Sequence, residues 1–213
     1  MTSLAHFEIE PFDVYDGDLP ASVYAAFAEQ PQIAWDIETS GLDWETDRIA
    51  LCQLYAAGLP VAVVRIGAGL PGHLRDLLCD PQTRKIFHHA MFDLRFMAHA
   101  WEVHPQNIAC TKIAAKLLYP GQPQEQQLRA LLARLRGVEI DKSEQRSNWL
   151  AVSLTRKQLQ YAINDVIHLP QLLDDLIAAL EREGLADLAA QCFAHIPTRV
   201  ALELGAFGDV FTY

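Results

Sequence analysis

The chain has 213 residues, of which 51% are hydrophobic and 21% are charged, and this composition excludes a disordered protein. Its formal net charge of −10 disfavours a general nucleic-acid-binding protein, because affinity for phosphate ordinarily comes from Lys and Arg. The sequence shows no secretory signal, no apolar run of membrane-spanning length and no C-x-x-C pair among its four cysteines. We therefore expect a cytoplasmic protein that binds no membrane.

Short apolar runs separated by turn residues predict a sheet in the first half of the chain. In chain order, the pattern predicts a helix over 20–30, strands over 33–38, 49–56 and 61–66, a helix over 71–79, a strand over 85–88, a helix over 92–101 and a strand over 108–111. Beyond residue 111 the chain is predicted to be helical to its end, apart from a Pro/Gln-rich loop over 120–127.

This order of elements favours an α/β protein with a mixed sheet covered by helices. We expect a single domain over residues 1–213. Its core should cover about residues 20–183. Residues 184–213 would form a C-terminal extension, which packs on the domain or contacts another subunit.

The clearest helix start lies at Thr155, because Thr155 and Gln158 have the spacing of a capping box. Apolar residues then recur at helical spacing as far as Leu169. Pro170 follows within the same pattern, and its missing N–H would leave a carbonyl unpaired one turn earlier. We therefore predict a kink or a break at Pro170.

Charge is distributed unevenly along the chain. Residues 1–47 contain eleven acidic residues and no Lys or Arg, whereas residues 112–157 contain nine basic and four acidic residues. This basic segment is explained either by a solvated helical face or by a rim that contacts phosphate groups.

Four acidic residues and one tyrosine are candidates for a functional site. Asp36 and Glu38 are two apart on the first predicted strand, so their side chains share one face. Asp93 lies near the start of a predicted helix, where an acid also complements the helix dipole. Tyr161 and Asp165 are four apart on the capped helix and share a face. Neighbouring carboxylates at the end of an apolar strand repel each other, and a bound cation would relieve that repulsion.

Three segments stand in the order of a known set of motifs: D-I-E-T over 36–39, H-H-A-M-F-D-L over 88–94 and Y-A-I-N-D over 161–165. They resemble the exonuclease motifs of the DEDD superfamily, in its Tyr-containing subgroup. The stretch 141–158 is similar to the region before the third motif in ribonuclease D. The resemblance extends over roughly residues 33–200 and is closest to the single-domain bacterial nano-RNase C oligoribonuclease group.

This resemblance implies an α/β fold of the ribonuclease H-like, DnaQ-like class. Its sheet would be mixed and five-stranded, flanked by helices, with a mostly helical C-terminal half. The four acids that hold two divalent cations, Mg²⁺ or Mn²⁺, correspond to Asp36, Glu38, Asp93 and Asp165. The tyrosine that orients the attacking water corresponds to Tyr161. Carboxylate oxygens are the ligands that such hard cations prefer.

The resemblance also implies a set of substrate contacts. These are Thr39, Gly41, Leu42, His89 and Phe92. Lys142, Gln145 and Arg146 are candidates for phosphate contacts because they stand just before the helix that carries the third motif, and structural salt bridging is the alternative. Leu42 stands where related enzymes place an apolar side chain against the 3′-terminal base. His89 departs from the family, in which many relatives carry Asn or a small residue.

The implied function is a metal-dependent 3′–5′ exoribonuclease that releases 5′-mononucleotides by a two-metal mechanism. Single-stranded RNA or short oligoribonucleotides are the expected substrates, with longer structured RNA and DNA 3′ ends as alternatives. A non-catalytic nucleic-acid-binding module and a phosphodiesterase acting on dinucleotides alone are two further hypotheses. The family also implies a homo-oligomer, for which the aromatic tail over 205–213 is a candidate contact.

Overall fold

A mixed six-stranded sheet is the centre of the computed structural model, which describes residues 10–141 and 143–212. The strands are β1 (Phe12–Asp16), β2 (Gln32–Thr39), β3 (Ile49–Tyr55), β4 (Val61–Arg65), β5 (Arg84–Phe87) and β6 (Ile108–Cys110). Their order across the sheet is β1-β4-β3-β2-β5-β6. β3 runs antiparallel to both of its neighbours, and the other three pairs are parallel. The predicted mixed sheet is confirmed.

β1 is the strand that the expectation of five strands omitted. It lies at the edge of the sheet, where it pairs with β4. All of its residues are half-buried or exposed. This exposure agrees with its sequence, F-D-V-Y-D, which lacks the continuous apolar run of a central strand. Acidic residues on an edge strand also discourage pairing with another chain.

Helices cover both faces of the sheet. They are α1 (Ala21–Ala28), α2 (Gly72–Cys79), α3 (Ala90–Trp101), α4 (Thr111–Leu118), α5 (Leu128–Arg136), α6 (Arg156–Ile167), α7 (Leu169–Arg182) and α8 (Ala186–Leu204). No helix among the described residues is both long and apolar enough to cross a membrane. The second half of the chain is mostly helical, as predicted.

The segment between α5 and α6 was wrongly predicted to be helical, and its described residues form turns. Short polar side chains explain the difference. Asp141 Oδ1 accepts a hydrogen bond from the Ser143 N–H at 2.8 Å, and Asn148 Oδ1 accepts one from the Leu150 N–H at 3.1 Å. Such local bonds to the backbone compete with helix formation.

The capping box and the break near Pro170 are both confirmed. The Gln158 N–H donates to Thr155 Oγ1 at 3.2 Å, and the Thr155 N–H donates to Gln158 Oε1 at 2.9 Å. α6 ends at Ile167, and α7 begins two residues later with Pro170 in its first turn. The N–H groups in the first turn of a helix have no partner within the helix, so a proline there costs α7 no backbone hydrogen bond.

The sheet separates two apolar layers, because successive side chains on a strand point to opposite faces. Trp35 and Cys52 face the layer that contains α1, α2, α3 and α8. Ala34, Leu51 and Val63 face the layer that contains α4, α5, α6 and α7. α6, which carries the third motif, is thus pressed against the face of β2 and β3 that holds Ala34.

Three parallel strands end at the same edge of the sheet. β2, β5 and β6 run in one direction, so Glu38 at the end of β2 lies at the same edge as His88 after β5 and Thr111 after β6. His88 Nδ1 and Thr111 Oγ1 are 2.9 Å apart, which links two of these strand ends. In α/β sheets, the carboxyl edge of parallel strands is where ligands bind.

Candidate active site

Three carboxylates from two distant motifs meet at this edge. Oxygens of Asp36 and Glu38 on β2 and of Asp165 on α6 all lie within 4.8 Å of one another. The pairing of β2 with β3 shifts register between Glu38 and Thr39, and such bulges re-aim side chains next to functional sites. Sequence spacing predicted the first pair, and the packing of α6 on the sheet brings Asp165 to it.

Asp93 occupies the first turn of α3, behind the end of β2, and is only 2% exposed. Burial raises the pKa of its carboxyl group well above the usual range, and the negative charge of Asp165 adds to the rise. The Ile37 N–H donates a hydrogen bond to the carboxylate and opposes the shift. Asp93 lies outside the tight group of three but is electrostatically linked to it.

The donor set of this site fits hard divalent cations. The tight group offers carboxylate oxygens from Asp36, Glu38 and Asp165 and no thiol or imidazole. Oxygen-only sites suit Mg²⁺ and Mn²⁺ rather than zinc. Close packing of like charges in partly buried surroundings also favours the binding of a cation.

Tyr161 lies one helical turn before Asp165 on α6 and is 6% exposed. Its ring packs against Trp149, with ring centroids 5.8 Å apart. Burial raises the pKa of the Tyr161 hydroxyl, and the negative charges of Asp165, Glu38 and Asp36 raise it further. The hydroxyl donates a hydrogen bond to Asp165 and stays protonated at neutral pH.

Residues 40–48 form the loop that follows β2, and they include an exposed apolar side chain. Leu42 is 83% exposed in this loop, which is unusual for leucine. The Thr39 hydroxyl donates to the Gly41 carbonyl at 2.6 Å and turns the chain directly after the strand. The predicted contacts Thr39, Gly41 and Leu42 are therefore contiguous with the acidic cluster.

His89 and Phe92 lie at the start of α3. Their rings stack with centroids 6.1 Å apart. Loss of solvation lowers the pKa of His89 to about 4, and the positive charges of Lys112, Lys116 and Arg95 lower it further. His89 is therefore neutral at physiological pH and stands beside a local group of cations.

Lys112 and Lys116 belong to the basic segment over 112–157, and the sequence alone did not distinguish them from its other basic residues. They lie one turn apart on α4, and neither forms an ion pair with another described residue. Elsewhere in the segment, Arg134 pairs with Glu125 at 3.0 Å and Arg136 pairs with Asp175 at 3.3 Å. The segment is therefore partly structural, and the charges of Lys112 and Lys116 act on His89.

The remaining predicted contacts lie before α6. Gln145 and Arg146 are exposed in the turn, and Lys142 lies outside the described residues. A cavity of about 90 Å³ beside Tyr161 is lined by other residues, namely Asp141, Ser143, Glu144, Lys157, Gln160 and Asn164. The assignment of Gln145 and Arg146 to substrate stays a prediction, as do the roles of the other site residues.

Comparison with known proteins places this geometry in a family. A family model described as a 3′-5′ exonuclease matches residues 12–181. Brucella melitensis NrnC bound to pGG is 35% identical with a TM-score of 0.86, and the match covers 96% of this chain and 99% of that one. NrnC with bound Mg²⁺ is 34% identical with a TM-score of 0.85, and the match covers 95% and 99%. The ribonuclease H-like exonuclease fold is thereby confirmed.

The curated relatives are longer proteins. Ribonuclease D of Escherichia coli (strain K12) is 29% identical over 167 residues, which is 78% of this chain and 44% of the relative. The chain spans less than half the length of the curated relatives that it matches most strongly. Because the exonuclease model extends over most of the chain and includes all three motifs, the chain belongs to the 3′-5′ exonuclease family, in its ribonuclease D-like group.

Proposed function

We propose that this exonuclease removes 5′-mononucleotides from the 3′ end of short oligoribonucleotides, using two divalent cations, Mg²⁺ or Mn²⁺. The observation that carries the proposal is the approach of the Asp36, Glu38 and Asp165 carboxylates to within 4.8 Å of one another, beside Tyr161. The Mg²⁺ in the similar NrnC structure supports the choice of cation.

Each of the five residues has a separate part in the proposed reaction. Asp36, Glu38 and Asp165 hold the cations, and Asp93 supports them from behind β2. When bound, the cations activate a water molecule and stabilise charge on the leaving 3′ oxygen. The Tyr161 hydroxyl donates to Asp165, and the same oxygen accepts a hydrogen bond from the attacking water. Tyr161 therefore orients the water along the line of attack and does not act as its base.

The surroundings of the carboxylates favour short substrates. Exposed Leu42 offers an apolar surface to the 3′-terminal base. Lys112 and Lys116 beside His89 offer positive charge for a small number of phosphates. The pGG ligand of the similar NrnC structure is a dinucleotide and supports the same conclusion.

A substrate series tests the proposal. Purified protein with Mg²⁺ or Mn²⁺ is given oligoribonucleotides from two to about 20 nucleotides, each with a matched deoxy version, and kcat/KM is measured. We expect cleavage of RNA with the highest kcat/KM at the shortest lengths. Absence of 5′-mononucleotide release from every member of the series would contradict the proposal.

Trimming of longer structured RNA is the second candidate, and the similarity to ribonuclease D favours it. A tRNA precursor with extra 3′ nucleotides separates the two. If its kcat/KM exceeds that of di- and trinucleotides, the substrate class is structured RNA. Deoxyribonucleotides in the same series test the alternative of DNA 3′ ends.

The setting of the enzyme is part of the same proposal. We place it in the cytoplasm, where its four free cysteines would remain reduced.

We also propose a single domain that forms a homo-oligomer through its C-terminal tail, where Phe207, Val210 and Phe211 are 70%, 49% and 63% exposed. Light scattering that gives the mass of one chain would contradict the oligomer.

A further inference from the structure

The loop over residues 40–48 has an acidic side chain at its centre. Asp47 accepts two hydrogen bonds within the loop, from Ser40 Oγ to Oδ1 at 3.0 Å and from the Asp43 N–H to Oδ2 at 3.0 Å. Ser40 Oγ in turn accepts from the Arg48 N–H at 3.1 Å. The carboxylate of Asp47 thus joins the two residues that flank the Gly41-Leu42 tip.

The carboxylate also lies against the backbone of the tip itself. A Cβ atom built on Gly41 would stand 2.3 Å from Asp47 Oδ2 and 2.6 Å from its Cγ. No side chain larger than hydrogen fits there without displacing Asp47. Gly41 is therefore needed for close approach of the Asp47 carboxylate to the chain directly before Leu42.

Backbone bonds complete the closure of the loop. The Asp47 N–H donates to the Asp43 carbonyl at 2.7 Å, and the Ser40 N–H donates to the Arg48 carbonyl at 3.0 Å. These bonds and those of the carboxylate tie residues 40, 43, 47 and 48 to one another across the loop. They restrict the backbone on both sides of the exposed Leu42.

We propose that Asp47 is a positioning residue that fixes Leu42 for contact with the 3′-terminal base. The inference rests on the proposed function, because it assigns Leu42 to the substrate of that site. A rigid loop binds a base without the entropy loss of ordering a mobile one, so preorganisation improves binding. The effect should fall on KM rather than on kcat, because Asp47 holds no reacting atom.

The test compares Asp47→Ala with Leu42→Ala on two trinucleotides, one of which lacks the 3′-terminal base. We expect Asp47→Ala to raise KM about 3- to 10-fold on the intact substrate, with kcat changed less than about 2-fold. On the abasic substrate, and in a Leu42→Ala background, Asp47→Ala should have no further effect. Asp43→Ala is the matched control, because the Asp43 side chain accepts from the Glu45 N–H and does not hold the tip.

Equal KM effects of Asp47→Ala on intact and abasic substrates would overturn the inference, and so would an unchanged KM. If Asp47→Ala does not fold, Asp47→Asn is measured in the same way, since it keeps the volume and one acceptor oxygen. A wild-type protein that cleaves neither trinucleotide refutes the proposed function instead. The two failures are therefore distinguishable.

A second and independent observation concerns Gln53, in the middle of β3. Its side chain is fully buried at 0% exposure. Within the described part of the chain, neither its Oε1 nor its Nε2 has a hydrogen-bond partner. Buried side-chain amides are nearly always hydrogen-bonded, so an unsatisfied one requires an explanation.

The sheet register places Gln53 directly opposite Asp36. Directly opposed residues of an antiparallel pair point to the same face, with Cβ atoms about 4.5–5.5 Å apart. α6, with Tyr161 and Asp165, packs on β2 and β3 over that face. The Gln53 side chain therefore neighbours Asp36 on this face, although the two form no hydrogen bond in this structure.

We infer that Gln53 is a positioning residue for Asp36: its amide has no partner among the described residues, and a rotation of the side chain would let it donate an N–H to the Asp36 carboxylate when a cation is bound. This inference also rests on the proposed metal site. Carboxylates that bind metals are generally held by hydrogen bonds from neighbouring groups, and loss of such a partner lowers metal affinity by about 10- to 100-fold.

Calorimetric titration with Mn²⁺ alone, without nucleotide, tests this second inference. Gln53→Leu keeps the approximate volume and removes the amide, and we expect Mn²⁺ affinity to fall at least about 10-fold. Its unfolding temperature should not fall, because the variant removes unsatisfied polar atoms. Gln126→Leu is the control, since Gln126 is a buried glutamine that donates to the Tyr119 carbonyl instead.

Mn²⁺ affinity within about 2-fold of the wild type would overturn the role of Gln53. Gln53→Met repeats the measurement if the leucine variant fails to fold. A wild-type protein that binds no Mn²⁺ refutes the metal site itself and is recognised from its own titration.

Discussion

The carboxylates of the candidate site are buried charged groups, which a folded protein ordinarily avoids. Glu38 is 9% exposed, Asp165 7% and Asp93 2%. Burial without neutralisation of such groups costs free energy, which a bound cation or a proton offsets. Cation binding by the native state should therefore add to the stability of the fold.

Tyr161→Phe tests the assigned role of the hydroxyl. We expect kcat to fall by about 10²-fold with KM changed little, because the attacking water loses its orientation while substrate contacts remain. Steady-state kinetics on a trinucleotide measure both constants. Tyr119→Phe is the control, since Tyr119 lies under Arg134 in the basic segment. A Tyr161→Phe enzyme with wild-type kcat would contradict the role.

Lys85 is a fully buried lysine on β5, and it predicts a dependence of stability on pH. Its Nζ donates to the carbonyls of Thr83, at 2.8 Å, and Asp80. Burial lowers the pKa of Lys85 from 10.5 to about 8. Between pH 8 and 10.5 the Lys85 side chain is protonated in the unfolded chain but not in the folded chain. The free energy of unfolding therefore rises with pH over this range.

Urea unfolding at pH 8 and pH 10 measures this effect. Groups other than Lys85 also titrate in this range, so the wild type is compared with Lys85→Met. From pH 8 to pH 10, the free energy of unfolding of the wild type should rise relative to that of the variant by roughly 1–3 kcal/mol. A constant difference between the two proteins would show that Lys85 is charged in the folded state throughout.

At the scale of elements, α6 carries two of the five assigned residues, and its start is fixed by the capping box. Thr155→Ala should lower the free energy of unfolding by about 0.5–2 kcal/mol, because it removes the acceptor for the Gln158 N–H. Thr155→Ser keeps that acceptor and should remain near the wild type. Ser153→Ala, at a nearby exposed position, is the control. Equal unfolding curves for Thr155→Ala and the wild type would contradict the cap.

The elements also show which parts of the fold the sequence could predict. Strands β2 to β6 contain short apolar runs bounded by turn residues, so local pattern predicts them. The edge strand β1 contains two aspartates in five residues, so its sequence does not show the pattern of a strand. It becomes a strand through its pairing with β4. The turns before α6 depend on side chains of Asp141 and Asn148 that bond to the backbone, which helical propensity does not register.

For the whole molecule, the site was predictable to the extent that motif order encodes it. Asp36, Glu38 and Asp165 could be named from the sequence because their motifs stand in a known order, and the fold brings them together. Lys112 and Lys116 differ from the other basic residues only in where α4 sits relative to His89. The parts proposed for Asp47 and Gln53 depend on closure of the loop over 40–48 and on the register of β2 with β3, which no sequence pattern shows.

The net charge of −10 is compatible with a nucleic-acid substrate on this account. Asp36, Glu38, Asp93 and Asp165 supply four of the negative charges, and two divalent cations would neutralise them. The positive charge of the chain is concentrated in residues 112–157. The substrate should consequently be held by the cations and a local group of lysines, which suits a molecule with few phosphates.

The most direct test follows a trinucleotide of RNA, labelled at its 5′ end, after addition of Mg²⁺ or Mn²⁺ to metal-free protein. We predict stepwise shortening from the 3′ end with release of 5′-mononucleotides, which Asp36→Asn abolishes and excess chelator stops. Cleavage that persists unchanged in Asp36→Asn, or no shortening with either cation, would contradict a cation-dependent exonuclease with Asp36 in its metal site.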